Sequence, residues 1–166
     1  TLRLLAAQQF ERASILICAC EYLRERAEKL LGEEPISIGL WIGSAQTPNT
    51  LQDASYQKRE LSKSEYADNK FQLRECPWCK TKFTIEAYDI SRGRNKTFEF
   101  DCPNYNCHFK GNLPIQIVDE SLYKKPPTLL FSTVDKFAML PWKGQISSFF
   151  GFGNENAAPE LIIQDE

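Results

Sequence analysis

A chain of 166 residues is the size of one ordinary domain, or of one domain with a small insert. Its 42% apolar and 25% charged residues make a globular composition and exclude a disordered one. A net charge of −2 leaves no basic excess, so nucleic-acid binding would rest on a local patch or a larger parent, and no apolar run reaches the roughly 20 residues that span a bilayer.

Thr1-Leu2-Arg3-Leu4-Leu5 has no basic region ahead of an apolar core, so it does not read as a signal peptide. There is no initiator Met, and the chain stops in an active-looking strand; a fragment of a longer protein is expected. Residues 1–31 read as one long helix. Leu5, Phe10, Ala13, Leu16, Ile17, Cys20, Leu23, Ala27 and Leu30 recur at helical spacing, Glu21, Arg24 and Glu28 fall among the polar positions, and Gly32 is the stop. Cys18 and Cys20 lie two residues apart on that helix, point to different sides and read as small buried hydrophobes. Ile36 to Ile42 reads as a strand that Gly43-Ser44 breaks. Thr50 caps a helix from Leu51 to about Leu61. Residues 62–72 are polar, and a cysteine-bearing unit occupies 71–113. Pro126-Pro127 closes a linker, Thr128 to Phe131 reads as a second apolar strand, and Ser132 to Leu140 as a turn and short helix. Trp142 to Phe150 is amphipathic and ambiguous. A glycine-rich loop leads to Leu161-Ile162-Ile163, which suits a strand buried on both faces of a parallel sheet. This order of elements predicts an α/β fold with a parallel sheet.

Four of the six cysteines form two close pairs. Cys76-Pro-Trp-Cys79 and Cys102-Pro-Asn-Tyr-Asn-Cys107 are separated by 22 residues, Lys80 to Asp101. Two tight turns that each supply two thiolates are what a tetrahedral Zn²⁺ needs, with Zn–S distances of about 2.3 Å. A closed four-thiolate site leaves no open position, so the zinc would be structural. It also places the protein in a reducing, cytoplasmic compartment. His108 is a rival to Cys107 as ligand, and a Cys-x₂-Cys redox pair is a rival chemistry that has no need of the second pair. Lys80, Lys82 and Lys110 would offset the thiolate charge. The spacer reads as two strands, Lys82 to Tyr88 and Thr97 to Phe100, joined at a tip of Ser91-Arg92-Gly93-Arg94-Asn95. Arg92 and Arg94, with Lys96 and Arg74, read either as a phosphate contact or as an ordinary solvated hairpin.

Four stretches together resemble a superfamily 2 helicase. Thr1-Leu-Arg-Leu-Leu-Ala-Ala-Gln-Gln9 resembles motif Ia, a strand-to-helix turn. Trp41-Ile-Gly-Ser44 falls where the Ib turn lies, and Phe131-Ser-Thr-Val-Asp-Lys-Phe137 resembles motif Ic. Leu161-Ile-Ile-Gln-Asp-Glu166 resembles motif II, the Walker B strand. With the inserted cysteine pairs, the chain is similar to the large helicase of the DISARM anti-phage defence system and its relatives. The resemblance implies a partial RecA-like parallel-sheet domain, residues 1–70 and 114–166, split by a β-rich four-cysteine zinc ribbon at 71–113. It implies that Asp165 holds the Mg²⁺ of ATP and that Glu166 polarises the attacking water. It places Thr1, Arg3, Gln8, Gln9, Ser132, Thr133 and Asp135 against DNA, on phosphate and sugar without base specificity. It also implies a defence-system partner subunit and no membrane. No Gly-x₄-Gly-Lys-Ser/Thr occurs, so the phosphate loop is missing and the piece alone is not expected to hydrolyse ATP. The alternative is a non-catalytic zinc-ribbon module that binds nucleic acid or protein, with a purely structural interaction domain as a third possibility.

Overall fold

Four consecutive buried residues make β1 (Ile38–Trp41) the centre of the molecule. The computed structural model describes residues 2–64, 67–91, 96–153 and 156–164, with side chains from residue 8 onward. Ahead of β1 come α1 (Leu2–Arg26) and α2 (Glu28–Leu31). After it come α3 (Leu51–Lys63), β2 (Tyr88–Ile90), β3 (Phe98–Phe100) and β4 (Ile115–Gln116). The chain continues through α4 (Asp119–Lys124), β5 (Leu129–Ser132) and α5 (Val134–Phe137), with 3₁₀ turns at Ile85–Ala87 and Gly144–Phe150.

The strands pair as a parallel sheet in the order β4-β1-β5, Ile38 lying opposite both Ile115 and Leu129. This is the mixed α/β architecture that the order of elements predicts. Alternation along β1 divides the apolar residues between two faces. Ile38, Leu40 and Ile42 enter a cluster with Phe10, Ile17 and Cys18 of α1. Trp41 points the other way, to Leu122 of α4 and to Ile146 and Phe149. Covering both faces of a parallel sheet is the usual solution, since its strands carry apolar residues on both sides.

The long helix is present but ends at Arg26, with residues 28–31 forming the separate α2, and it is rotated from the face that the apolar spacing marks out. Its buried stripe is Phe10, Ser14, Ile17, Glu21 and Arg24, together with Cys18, while Leu16 and Leu23 are 62% and 60% exposed, and Leu30 on α2 is 85% exposed. The reason lies in the turn that follows α2. Glu21 Oε2 accepts from the Ile36 N–H at 2.7 Å, and Arg24 Nη1 donates to the carbonyls of Gly32 at 3.0 Å and Glu33 at 3.3 Å. The two side chains close on each other at 2.7 and 2.8 Å. Buried backbone groups require partners, and these two residues supply them. Hydrogen bonding to Arg24 holds the Glu21 carboxyl below its ordinary value. α1 runs unbroken from Leu2, so the strand-to-helix turn implied at Thr1–Gln9 is not formed within the described residues.

Thr50 caps α3 as expected, in a reciprocal pair with Asp53 at 3.0 Å each way. The stretch read as a linker before Pro126 is instead β4 and α4. The closing strand is the second correction. Residues 157–164 form no strand, and Leu161, Ile162 and Ile163 are 75%, 65% and 80% exposed. A three-residue apolar run gains strand geometry only by pairing, and β5 pairs with β1 alone.

Gly39 sits where α4 crosses the sheet. A Cβ there would lie 2.6 Å from Leu122 Cδ2 and 2.7 Å from Pro127 Cγ. Gly39→Ala should therefore lower the free energy of urea unfolding by about 1–3 kcal/mol through overpacking. An unchanged unfolding midpoint would show that the approach is looser than this.

Candidate metal centre

Cys76 and Cys79 sit on a turn in which the Lys80 N–H bonds to the Cys76 carbonyl at 2.9 Å. The Cys76 N–H bonds to the Thr81 carbonyl, also at 2.9 Å. Lys80 adopts φ +61° to close it, a left-handed conformation that few non-glycine residues take. Cys102 follows β3, and Cys107 begins a matching turn in which Lys110 N–H reaches its carbonyl at 3.1 Å. Tyr88↔Phe100 and Ile90↔Phe98 pair the two short strands between the cysteine turns antiparallel.

The four sulfur atoms lie within 4.8 Å of one another. Cys76 and Cys107 are 3.8 Å apart, Cys79 and Cys102 3.5 Å. A tetrahedron with metal–sulfur distances of about 2.3 Å has edges of about 3.8 Å, whereas a disulfide needs about 2.05 Å. These residues therefore suit a metal ion such as zinc. Burial pushes the Cys76 thiol up, and pushes Cys107 up to about 11. Burial opposes ionisation at Cys79 too, but hydrogen bonds from Thr81, Cys102 and Asn104 together bring it down to about 6. Buried thiols of this kind become ligands when a cation compensates their charge.

Two of the three lysines expected to compensate the thiolates, Lys80 and Lys110, are engaged with carboxylates. Lys80 pairs with Glu75 at 3.5 Å and Lys110 with Asp101 at 2.6 Å. His108 is not part of the cluster: its Nε2 lies 2.6 Å from Glu25 Oε2 on α1, with Tyr22 edge-on to its ring. Cys18 is buried, its thiol raised to about 12 by desolvation, and Cys20 is half-buried.

The remaining candidate residues are scattered or undescribed. Thr1, Arg92, Arg94, Asp165 and Glu166 lie outside the described residues, and so does the side chain of Arg3. Gln8 and Gln9 are exposed on α1, whose Phe10 meets Phe131 edge-on at 6.4 Å. That contact makes the start of α1 a neighbour of the carboxyl end of β5, where Ser132 and Thr133 are half-buried and Asp135 exposed.

A buried polar cluster at the strand ends escaped the sequence reading. Lys136 Nζ lies 2.5 Å from Asp119 Oδ2, with side-chain exposures of 10% and 2%. Lys136 also reaches Asn49 Oδ1 at 3.3 Å and sits 5.6 Å over the Trp41 ring. Trp41 Nε1 donates to the Tyr123 hydroxyl at 3.1 Å, which lies 3.4 Å from Asp119 Oδ2. Desolvation raises the Asp119 carboxyl despite its lysine, and raises Tyr123 to about 12. The signal was available in Ile115-Gln-Ile-Val-Asp-Glu120, an apolar run ending in two carboxylates.

These features define an α/β protein with a parallel three-stranded sheet and a four-cysteine candidate metal centre. No family model matches the chain. Over 159 residues it is 38% identical to the DISARM protein DrmA of Bacillus paralicheniformis (strain ATCC 9945a / NCIMB 11709 / CD-2), a match covering 91% of this chain. The chain spans 14% of the length of that relative. No helix among the described residues is long and apolar enough to cross a membrane.

Elemental analysis of the purified chain should give one zinc per molecule. Cys76→Ser, Cys79→Ser, Cys102→Ser and Cys107→Ser should each lose it, while Cys18→Ser, Cys20→Ser and His108→Ala keep it. Zinc retained by Cys107→Ser and lost by His108→Ala would transfer the fourth ligand to the histidine.

Proposed function

We propose that the chain is part of the first motor domain of an ATP-dependent DNA helicase or translocase that works in anti-phage defence. The observation that carries this reading is the 38% identity to the DISARM protein DrmA across 91% of the chain. The parallel sheet, with helices on both faces, is compatible with a RecA-like domain. In this reading 71–113 is a zinc-ribbon insert between motor segments 1–70 and 114–166. Residues of 71–113 share one apolar cluster with the sheet, so such an insert would be packed against the motor scaffold.

Asp165 would hold Mg²⁺ and Glu166 would polarise the water that attacks ATP. Thr1, Arg3, Gln8, Gln9, Ser132, Thr133 and Asp135 would hold the DNA backbone, with Arg92 and Arg94 adding phosphate contacts from the ribbon tip. ATP, Mg²⁺ and a partner subunit of the defence system belong to the parent protein, which would act in the cytoplasm. The alternative is a non-catalytic zinc-ribbon module that binds nucleic acid or protein. The exposure of Leu161, Ile162 and Ile163 favours it, because a Walker B strand is a buried one.

ATP hydrolysis by the parent protein separates the two. DNA-stimulated turnover that falls about 10²-fold or more in Glu166→Gln is the expected result. An intact, zinc-loaded parent with no turnover would leave the binding module. The 166-residue chain alone should not turn over ATP.

A further inference from the structure

We infer that the solvent face of α1 is the docking site for an amphipathic helix of the parent protein from outside these 166 residues. That helix would carry an apolar stripe with a carboxylate near each end. The inference rests on the part of the reading above that makes this chain a segment of a longer defence protein, and on neither its ATP nor its DNA chemistry.

α1 has two stripes. Phe10, Ser14, Ile17 and Glu21 are buried on the side of the helix that meets β1 and β5. On the opposite side Arg12, Leu16, Ala19, Leu23 and Arg26 recur at alternating steps of four and three residues. That is the spacing of a seam between two helices. A helix face that meets only water is ordinarily polar. The centre of this one is leucine, alanine, leucine. Leu16 and Leu23 are 62% and 60% exposed, and Ala19 and the adjacent Cys20 are half-buried. A small residue between two large ones lets a second helix approach closely.

The charges define which helix fits. Arg12 and Arg26 close the two ends of the stripe, about 21 Å apart along the axis. Both are exposed, and neither forms an ion pair among the described residues. The carboxylates nearest Arg26 in sequence are engaged elsewhere, Glu25 with His108 at 2.6 Å and Glu28 with Arg24 at 3.7 Å. Arg26 lies over the Tyr22 ring, 4.0 Å from its centre, which holds it at the edge of the stripe. A second copy of this chain does not fit. Parallel pairing sets Arg12 on Arg12 and Arg26 on Arg26; antiparallel pairing with Ala19 at the crossing sets Arg12 on Arg26. Like charges in register are how helix pairs reject a wrong partner. DNA fits poorly too, because the leucines between the arginines offer nothing to a phosphate. The chain spans 14% of the length of the DISARM protein DrmA, so a parent of that size has ample chain to supply the helix.

Maleimide labelling of Leu23→Cys in a Cys20→Ser background tests this, in the 166-residue chain and in the parent. The chain should sediment as a monomer and label freely. The parent should label at least about tenfold more slowly, because the thiol then reacts only when the cover opens. Arg12→Glu together with Arg26→Glu should speed labelling of the parent at least about threefold by repelling the carboxylates, while leaving the rate in the chain unchanged. Zinc content is measured on every variant, to show that the fold is kept. Equal labelling of chain and parent overturns the inference, as does protection that ignores the charge reversal. A chain that sediments as a dimer, and loses that state in Leu23→Cys, transfers the face to a second copy. A parent without ATP turnover that still protects Leu23→Cys keeps the docked helix and loses the motor.

Discussion

Four sulfur atoms within 4.8 Å of one another, in an apolar setting, impose a charge requirement once they ionise. Lys80 and Lys110, next to the cysteine pairs in sequence, are engaged with Glu75 and Asp101. A divalent cation would supply the missing charge and convert buried thiols into ligands, so that its binding energy becomes folding energy. The consequence reaches past the ribbon. Cys76, Cys102 and Cys107 belong to the same apolar cluster as Ile38 and Leu40 of β1 and Phe10 of α1. β2 and β3 have three residues each, too short to persist as an isolated hairpin. They stand because their inner residues, Tyr88, Phe98 and Phe100, stack with Phe71 and Phe83 over the four-cysteine end. Removing the cation would therefore loosen the face of the sheet that α1 covers.

Two buried ion pairs work at opposite ends of the molecule and are satisfied to different degrees. Glu21 and Arg24 meet through two hydrogen bonds and use their remaining capacity on backbone groups of residues 32–36. That pair is complete, and its role is to fasten the connection from α1 into β1. Asp119 and Lys136 join the segments that follow β4 and β5, but one carboxylate oxygen is left over. A half-satisfied buried pair costs more than a complete one or an apolar replacement.

How much of this was legible depended on whether the signal was local. The four cysteines, the Thr50 cap with its Asp53 partner, and the strand at β5 each announce themselves within a few residues, and the structure has all three. The rotation of α1 was not legible, because apolar spacing alone weights Leu16 and Leu23 as highly as Ile17. What turns the helix is the need of residues 32–36 for hydrogen-bond partners, a fact about a different segment. β4 was hidden for another reason. Two residues of strand between a ribbon and a short helix have no length over which a period can show, and pairing with β1 creates the element. His108 could be held as a rival ligand from its position beside Cys107 because the partner that claims it, Glu25, is remote in sequence.

The motif most relied on in the sequence, an apolar run ending in Asp-Glu, occurs twice. Leu161-Ile-Ile-Gln-Asp-Glu166 is one copy, and Ile115-Gln-Ile-Val-Asp-Glu120 is the other. In the internal copy the run forms β4 and then buries Ile117 and Val118. Its Asp119 is held by Lys136, and its Glu120 by Lys124 and the Leu51 N–H. These carboxylates are engaged in holding the strand ends together, so the pattern alone does not distinguish a metal-binding pair from a structural one. What distinguishes them is the company each carboxylate keeps. A carboxylate fixed by a buried lysine is a fastening, whereas one that serves Mg²⁺ must keep its oxygens for the ion and for nucleotide phosphates. The assignment of Asp165 and Glu166 to ATP chemistry thus rests on the order of the motifs and on the likeness to the DISARM protein DrmA. It also requires Leu161–Ile163 to pair beside β5, whose outer edge has no partner strand among the described residues. Such pairing would take three exposed aliphatic residues out of water and carry the following Asp-Glu toward the carboxyl end of the sheet, where α/β folds perform their chemistry.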